Sequence, residues 1–279
     1  MTRAIDSLRD IADGYDAIVL DQWGVLHDGN APYPGAIAVL KTLKNRLAVL
    51  SNSGKRAAPN AARIAAMGFP KALFEVVMTS GEALWRDIAA GRVTHQRLCP
   101  ITRASGDAQA WAYGLALTLI EDVRTADAVL LMGLPDDEDP QAAQNTLDIA
   151  RAQNIPVLCT NPDRASPRSG GATVVSPGAL AHDYAAAGGE VHFYGKPHRP
   201  VFTAIAAALN VAPNKLLMVG DSLEHDITGG HTAGWDTAFI RGGLHAISFP
   251  EGAHIVQTIT RLAAKDSAPM PTFTLAHLG

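Results

Sequence analysis

The chain has 279 residues, 47% of them hydrophobic, a formal net charge of −4 and a pI near 6.2. That length allows one large domain or two modest ones with a substantial core. The acidic balance, with no Lys/Arg run, excludes a nucleic-acid binder that works through a basic stripe.

Two cysteines, Cys99 and Cys159, cannot form a disulfide framework and lack metal-ligand spacing, so they read as buried thiols. The first residues, "MTRAIDSLRDIADGYD", mix charged and apolar side chains and show no h-region of a secretory leader. No stretch approaches the roughly 18 apolar residues that span a bilayer. The expectation is a cytoplasmic protein with neither a membrane nor a nucleic acid as partner.

Short apolar runs alternate with longer Ala/Leu-rich segments of helical period, which predicts an α/β fold with a mostly parallel sheet. "YDAIVLD" (15–21) is a continuous β-rich run ending in a carboxylate. "YPGAIAVLKTLKN" (33–45) places Ile37, Leu40, Leu43 and the following Leu47 close to helical spacing. "LAVLSNSG" (47–54) is a strand ending in small polar residues, and "APNAARIAAMGF" (58–69) a helix entered through Pro59 and ended by Gly68.

The middle of the chain has its own α/β content. "ADAVLLMG" (126–133) reads as a strand, "LPDDEDP" (134–140) as a solvated acidic loop, and the following residues as a helix to about 153. "IPVLCTNPD" (155–163) is another strand, and "PRSGGATVVSPG" (167–178) a loop or hairpin. The first grammar then returns. "VHFYGKP" (191–197) leads into a helix started by Pro200, "KLLMVGDS" (215–222) is a strand, and "DTAFIRGG" (236–243) is a strand running into a glycine turn. The expected organisation is a discontinuous core, 1–78 plus 188–279, with a cap at 79–187.

Ligands of open parallel sheets bind outside the carboxyl ends of the strands. Four predicted strands end there in reactive types: Asp21; Ser51, Asn52 and Ser53; Lys196; and Asp221 with Ser222. Carboxylates, a lysine and a hydroxyl together form a group suited to holding Mg²⁺ and a phosphoryl group.

The blocks "DQWGVLHDG" (21–29), "YPGA" (33–36), "LSNSGKR" (50–56), "TSGEAL" (79–84), "CTNPD" (159–163), "YGKPHRPVF" (194–202) and "GDSLEHDITGGHTAGW" (220–235) span nearly the whole chain. In this order they resemble the haloacid-dehalogenase superfamily of phosphohydrolases, and within it the class IIA, NagD-like branch. The resemblance implies a Rossmann-like parallel-sheet core with an inserted α/β cap. It implies Mg²⁺-dependent hydrolysis of a small phosphorylated metabolite, of the sugar phosphate or nucleotide class. Related proteins often pair, so a homodimer is a further implication, although no residue marks an interface.

Residue by residue, the resemblance makes Asp21 the nucleophile that forms an aspartyl-phosphate. It makes Ser51, with Asn52 and Ser53 beside it, the phosphoryl-oxygen donor, and Lys196 the ammonium that offsets charge. Asp21, the backbone carbonyl of Trp23, Asp221 and Asp226 would hold the metal. Asn161 and Asp163 resemble a cap segment that sets specificity, although an Asx-Pro turn explains the same residues.

Trp23 is the departure. The family places there a second aspartate that protonates the leaving group and later activates water, and an indole N–H does neither. General acid–base catalysis is worth roughly 10²–10⁴-fold, so its loss weakens turnover but need not abolish it. His27, Asp28 and His225 are the neighbouring candidates to substitute, and Trp23 itself is either a pocket wall or a packing aromatic. Ser80 and Glu82 read as a helix N-cap with a first-turn acid.

Two rivals remain. "GDSL" (220–223) spells a serine esterase fingerprint, but it lies late and no Asp-x-x-His follows it. A weakly catalytic or non-catalytic phosphate-ligand sensor on the same fold would also tolerate Trp23.

Overall fold

The computed structural model describes residues 2–135, 139–167 and 173–279. The acidic loop expected at 134–140 and the loop or hairpin expected at 167–178 lie partly outside the described residues, at 136–138 and 168–172. In chain order the strands are β1 (Arg3–Ala4), β2 (Ala17–Asp21), β3 (Arg46–Ser51), β4 (Val76–Thr79), β5 (Arg97–Ile101), β6 (Thr118–Leu119) and β7 (Ala128–Leu131). They continue as β8 (Val157–Cys159), β9 (Ala165–Pro167), β10 (Thr173–Val175), β11 (Val191–Phe193), β12 (Leu216–Gly220), β13 (Asp236–Ile240) and β14 (Phe273–Leu275). The helices are α1 (Ala36–Leu40), α2 (Ala57–Ala66), α3 (Ser80–Ala89), α4 (Asp107–Ala112) and α5 (Gln141–Ala152). After them come α6 (Pro177–Ala186), α7 (Arg199–Leu209), α8 (Thr228–Thr232) and α9 (Ile255–Lys265). No helix among the described residues is long and apolar enough to cross a membrane.

The chain divides into two compact units. The first comprises residues 1–51, 58–78 and 196–279, and the second 52–57 and 79–195.

The first unit is built on a seven-stranded sheet of order β1-β14-β13-β12-β2-β3-β4. The pairs β12–β13, β12–β2 and β2–β3 are parallel. All five residues of β2 and of β12 are buried, which is why both sequences read as continuous apolar runs without alternation. One sheet face, with Ile18, Leu20, Val49, Leu217 and Val219, joins Leu26, Leu40, Ile64 and Phe69 in one apolar cluster. On the other face Phe239 packs with Leu223, Ile227, Ile259 and Leu262. From β2 the chain crosses to β3 on one side, and from β12 to β13 on the other. The adjacent pair β2–β12 is therefore the topological switch point of this sheet.

The second unit holds a five-stranded sheet of order β11-β8-β7-β5-β6, parallel throughout, and an antiparallel β9–β10 hairpin. Its core gathers Ile101, Val129, Leu131, Leu147, Val157, Leu180 and Tyr184 with the buried free thiols Cys99 and Cys159. Its strand order also reverses once. From β5 the chain goes outward to β6, and from β7 it goes the opposite way to β8.

The structure departs from the expected organisation at three places. β11 pairs in parallel with β8 of the second unit, so residues 188–195 do not belong with the returning core expected at 188–279. Residues 52–57, expected in the core, group with the second unit because Arg56 bonds Glu82 and the Thr79 hydroxyl donates to the Lys55 carbonyl. Helix α1 stops at Leu40, well short of residue 45, where the Thr42 hydroxyl turns back onto the Val39 carbonyl at 2.6 Å. Such local bonds compete with helix propagation.

Candidate active site

The register of the first unit brings its predicted polar residues to one edge. Leu20 pairs with Val219 and Asp21 with Leu50, so Asp21, Ser51 and Asp221 stand at the carboxyl ends of three neighbouring strands. Asp226 arrives on a widened turn, Leu223–Ile227, in which the Ile227 amide reaches back five residues to the Ser222 carbonyl. Such π-type turns re-aim a side chain at a cost in regularity and are frequent at functional sites. Here the turn lets Asp226 accept from the Ser222 amide at 3.1 Å while facing inward, fully buried.

Lys196 joins the group. Its ammonium donates to Oδ1 of Asp21 at 2.5 Å and to Oδ1 of Asp226 at 2.7 Å, and its side chain is 4% exposed. Oxygen atoms of Asp21, Asp221 and Asp226 lie within 4.8 Å of one another. Three clustered carboxylates thus face one ammonium, which bonds two of them, in a buried site. Burial pushes the Asp21 carboxyl up; Lys196 pulls it back, and repulsion from Asp226 adds to the rise. Burial, then the charges of Asp21 and Asp226, lift Asp221 well above the carboxylate range. Burial disfavours the Lys196 ammonium, but its two carboxylate partners outweigh that and keep it charged. Excess negative charge defines the site.

The surroundings fit a hard divalent cation. Asp221 is held by the Leu244 amide at 2.6 Å. Two glycines leave room for it: a Cβ at Gly24 would lie 1.9 Å from Asp221 Oδ2, and one at Gly243 2.2 Å. An all-oxygen donor set of excess negative charge is what Mg²⁺ or Ca²⁺ takes. The chemistry of the donors therefore matches the divalent metal expected from the sequence. Gly24, Gly243 and the Leu244 amide escaped sequence reasoning, because a lone glycine carries no sign of what approaches it.

Trp23 is 38% exposed and lies on the same turn. Its indole rests on Gly29, where a Cβ would sit 2.8 Å from Nε1. The neighbours considered as substitutes for a general acid are engaged otherwise. Asp28 caps the Asn30 and Ala31 amides at 2.9 and 2.8 Å, and these bonds hold its carboxyl below the ordinary value. His27 is wholly buried, its Nδ1 accepts from the Gly29 amide at 3.0 Å, and burial lowers it to about 4. His225 lies beside Glu224, at 4.0 Å.

The remaining predicted residues fall in the second unit. Asn52 donates to Asp163 Oδ1 at 2.7 Å, and the Asp163 amide donates to Asn161 Oδ1 at 3.2 Å, which is an Asx turn. Gly195, immediately before Lys196, is required by this packing, since a Cβ there would meet Pro162 Cδ at 2.3 Å and Asn52 Oδ1 at 2.7 Å. Ser53 lies beside the following Gly54, whose Cβ would meet the Met132 carbonyl at 2.5 Å. The N-cap of α3 is Thr79, which accepts from the Glu82 amide at 2.9 Å, and not Ser80 as the sequence suggested. Glu82 does more than sit in a first turn: it accepts from Arg56 at 2.6 Å and from Arg86 at 3.1 Å.

A Rossmann-like sheet whose switch point collects three carboxylates and a buried lysine, with an inserted α/β unit, defines a hydrolase core with a cap. Family models agree: residues 18–111 match the haloacid dehalogenase-like hydrolase model and residues 193–262 a second HAD-hydrolase-like model. Chronophin from Mus musculus is 30% identical over 257 residues, covering 86% of each chain. A haloacid dehalogenase-like hydrolase from Brucella suis superposes with a TM-score of 0.81 at 29% identity, over 99% of this chain and 100% of that one. A glycerol phosphate phosphatase from Mycobacterium tuberculosis in complex with magnesium shares the fold, with a TM-score of 0.74 at 22% identity over 98% of this chain and 78% of that one. The chain belongs to the haloacid dehalogenase-like hydrolases, in the class IIA branch, and is an enzyme of the phosphatase type.

Proposed function

We propose that the chain hydrolyses a small phosphomonoester through attack of Asp21 on phosphorus. The carrying observation is the Lys196 ammonium bonded to both Asp21 and Asp226 beside Asp221. A carboxylate is ionised near neutral pH when a cation faces it, and its acyl phosphate is labile enough to turn over.

In the first step an Asp21 oxygen bonds to phosphorus, and the bond from phosphorus to the ester oxygen breaks. The alkoxide or phenoxide leaves with the bonding pair. In the second, water attacks the same phosphorus, the Asp21 carboxylate is released, and inorganic phosphate departs. Lys196 holds Asp21 in place through both steps, and Asp226 orients Lys196. Ser51, with Asn52 and Ser53, is assigned to the phosphoryl oxygens, and Asn161 and Asp163 to the leaving group. Asp21, Asp221, Asp226 and the Trp23 carbonyl would hold Mg²⁺, which when bound offsets the charge of an anion attacked by an anion. The indole at position 23 donates no proton to the leaving oxygen, so its departure rests on its own acidity or on solvent.

The test is Asp21→Asn. It should lower phosphate release from p-nitrophenyl phosphate at least 10³-fold, and the wild-type enzyme quenched in acid should retain a hydroxylamine-labile phosphoryl group. Release within tenfold of wild type in Asp21→Asn would exclude the covalent route.

A further inference from the structure

Arg241 is a cation that no step above uses. It stands one residue past β13, at the carboxyl edge of the first unit's sheet, where open α/β sheets bind ligands. Its amide donates to the Leu275 carbonyl at 3.0 Å and the Gly242 amide to the Ala276 carbonyl at 2.9 Å, so the ladder of β13 and β14 runs on past both strands. The other end of the turn is anchored too, since the Leu244 amide holds Asp221 Oδ2 at 2.6 Å. The backbone that carries Arg241 is therefore fixed on two sides.

Its side chain is not matched in the same way. Among the described residues the buried Nε of Arg241 has no hydrogen-bond partner. Burial disfavours the guanidinium charge, and no carboxylate among the described residues offsets that. Lys196, by contrast, bonds two carboxylates. A buried donor left unpaired on a charged group is costly, and each such case calls for a physical reason. An anion seated there supplies the partner.

A second polar group borders the same backbone. The His277 ring lies on Gly242 with its nitrogen-bearing edge nearest: a Cβ on Gly242 would fall 1.9 Å from Cε1, 2.4 Å from Nδ1 and 2.7 Å from Nε2. His277 is exposed, and among the described residues neither ring nitrogen is spent on a hydrogen bond. Gly242 admits the ring because it has no side chain, and Arg241 is its neighbour in the chain. Residues 241–249 and 273–279 contain no Asp or Glu, although the chain as a whole carries a charge of −4. A guanidinium takes two oxygens of an anion in parallel, and an imidazole N–H asks for another. A phosphoryl group offers three oxygens and a carboxylate two, so phosphate suits the pair better.

We infer that Arg241 and His277 form a second anion site in the first unit, which takes a phosphoryl group apart from the Asp21–Lys196 cluster. Two sources carry that chemistry: inorganic phosphate, and the second phosphoryl group of a bisphosphorylated substrate. Three residues of chain lead from Arg241 to Leu244 on Asp221, a span of at most about 11 Å, so a small bisphosphate can reach from one site to the other. The site does not depend on the phosphomonoesterase reading; the bisphosphate source rests on it.

The experiment begins without turnover. In EDTA the carboxylate cluster repels an anion, so calorimetric titration of the metal-free protein with inorganic phosphate reads the second site. Wild type should bind one phosphate per chain, and acetate at least tenfold more weakly. Arg241→Gln should weaken phosphate at least tenfold and His277→Ala at least threefold, while Asp21→Asn stays within twofold of wild type. Without phosphate, Arg241→Gln should melt no lower than wild type, because Nε gives up no bond. Should it melt lower, Arg241→Lys, which keeps the charge and loses the fork, carries the comparison with a loss of at least threefold. The source is read with Mg²⁺ present, from inhibition of p-nitrophenyl phosphate hydrolysis by propyl phosphate and by propane-1,3-diol bisphosphate. A bisphosphate that inhibits wild type at least tenfold more tightly, but not Arg241→Gln, assigns the site to the substrate. Equal inhibition beside Arg241-dependent phosphate binding assigns it to inorganic phosphate. Phosphate binding in EDTA that is absent, or unmoved by the Arg241 variants, would overturn the inference, and so would acetate binding as tightly as phosphate. Failure of wild type to release p-nitrophenol would defeat the phosphomonoesterase reading alone, because the calorimetric arm needs no turnover.

Discussion

The indole of Trp23 rests on Gly29 at the turn after the Asp21 strand, so close that a methyl group on Gly29 would sit 2.8 Å from Nε1. Trp23 is also 38% exposed and so is no deeply packed core residue. A smaller side chain there removes contacts without overpacking the interior. Trp23→Asp should therefore fold, and it restores a carboxyl group at the position where the family keeps its proton donor. The variant should raise kcat/KM for alkyl phosphates by 10–10²-fold, within the range of general-acid catalysis, and change p-nitrophenyl phosphate turnover by less than fivefold. An equal gain on both substrates would instead point to easier substrate entry.

Gly243 is the second position where a single atom decides. A Cβ there would fall 2.2 Å from Asp221 Oδ2, next to the Leu244 amide that holds the same oxygen. Gly243→Ala should displace Asp221 and raise the Mg²⁺ concentration for half-maximal activity at least tenfold. The far-ultraviolet circular dichroism should be unchanged. Unaltered metal activation would remove Asp221 from the metal site.

The carboxylate cluster also predicts how metal and proton compete. Asp21 and Asp221 are held above their ordinary value by burial and by neighbouring carboxylates. In the metal-free protein such groups contribute stability that is fully present below the unfolded aspartate value, about pH 3.9, and lost as pH rises through the folded values. On the proposed metal site, bound Mg²⁺ would take the place of those protons. At 100 times its dissociation constant it stabilises by about 2.7 kcal/mol, or roughly 5–10 °C in melting temperature. Thermal melts with and without Mg²⁺ should show that full shift at pH 8 and less than half of it at pH 5. The same shift at both values would mean that the metal does not bind these carboxylates.

Much of the core was legible because its strands are buried on both faces. "AIVLD" and "LLMVG" read as continuous apolar runs ending at a polar edge, and the structure makes them the adjacent strands β2 and β12. Pro200 marked the start of α7, which begins at Arg199. What failed were the assignments set by partners distant in sequence. Nothing in "VHF" says that it pairs with β8, and nothing in "NSGKRA" says that Arg56 will find Glu82, 26 residues away. The widened turn that aims Asp226 depends on which carbonyl the Ile227 amide chooses, and hydrophobic period is blind to that choice. In the candidate site, motif order singled out Asp21, Lys196, Asp221 and Asp226, which the structure brings together. Their electrostatics, three carboxylates around one ammonium, needed the geometry.

The measurement that bears most directly on the account is Mg²⁺-dependent phosphate release from aryl and alkyl phosphates of graded leaving-group acidity, in wild type and Asp21→Asn. An enzyme that attacks through Asp21 without a proton donor at position 23 should speed up steeply as the leaving group becomes more acidic, and Asp21→Asn should abolish release from every ester. Rates nearly independent of leaving-group acidity, still abolished in Asp21→Asn, would contradict the account by showing that another group supplies the proton.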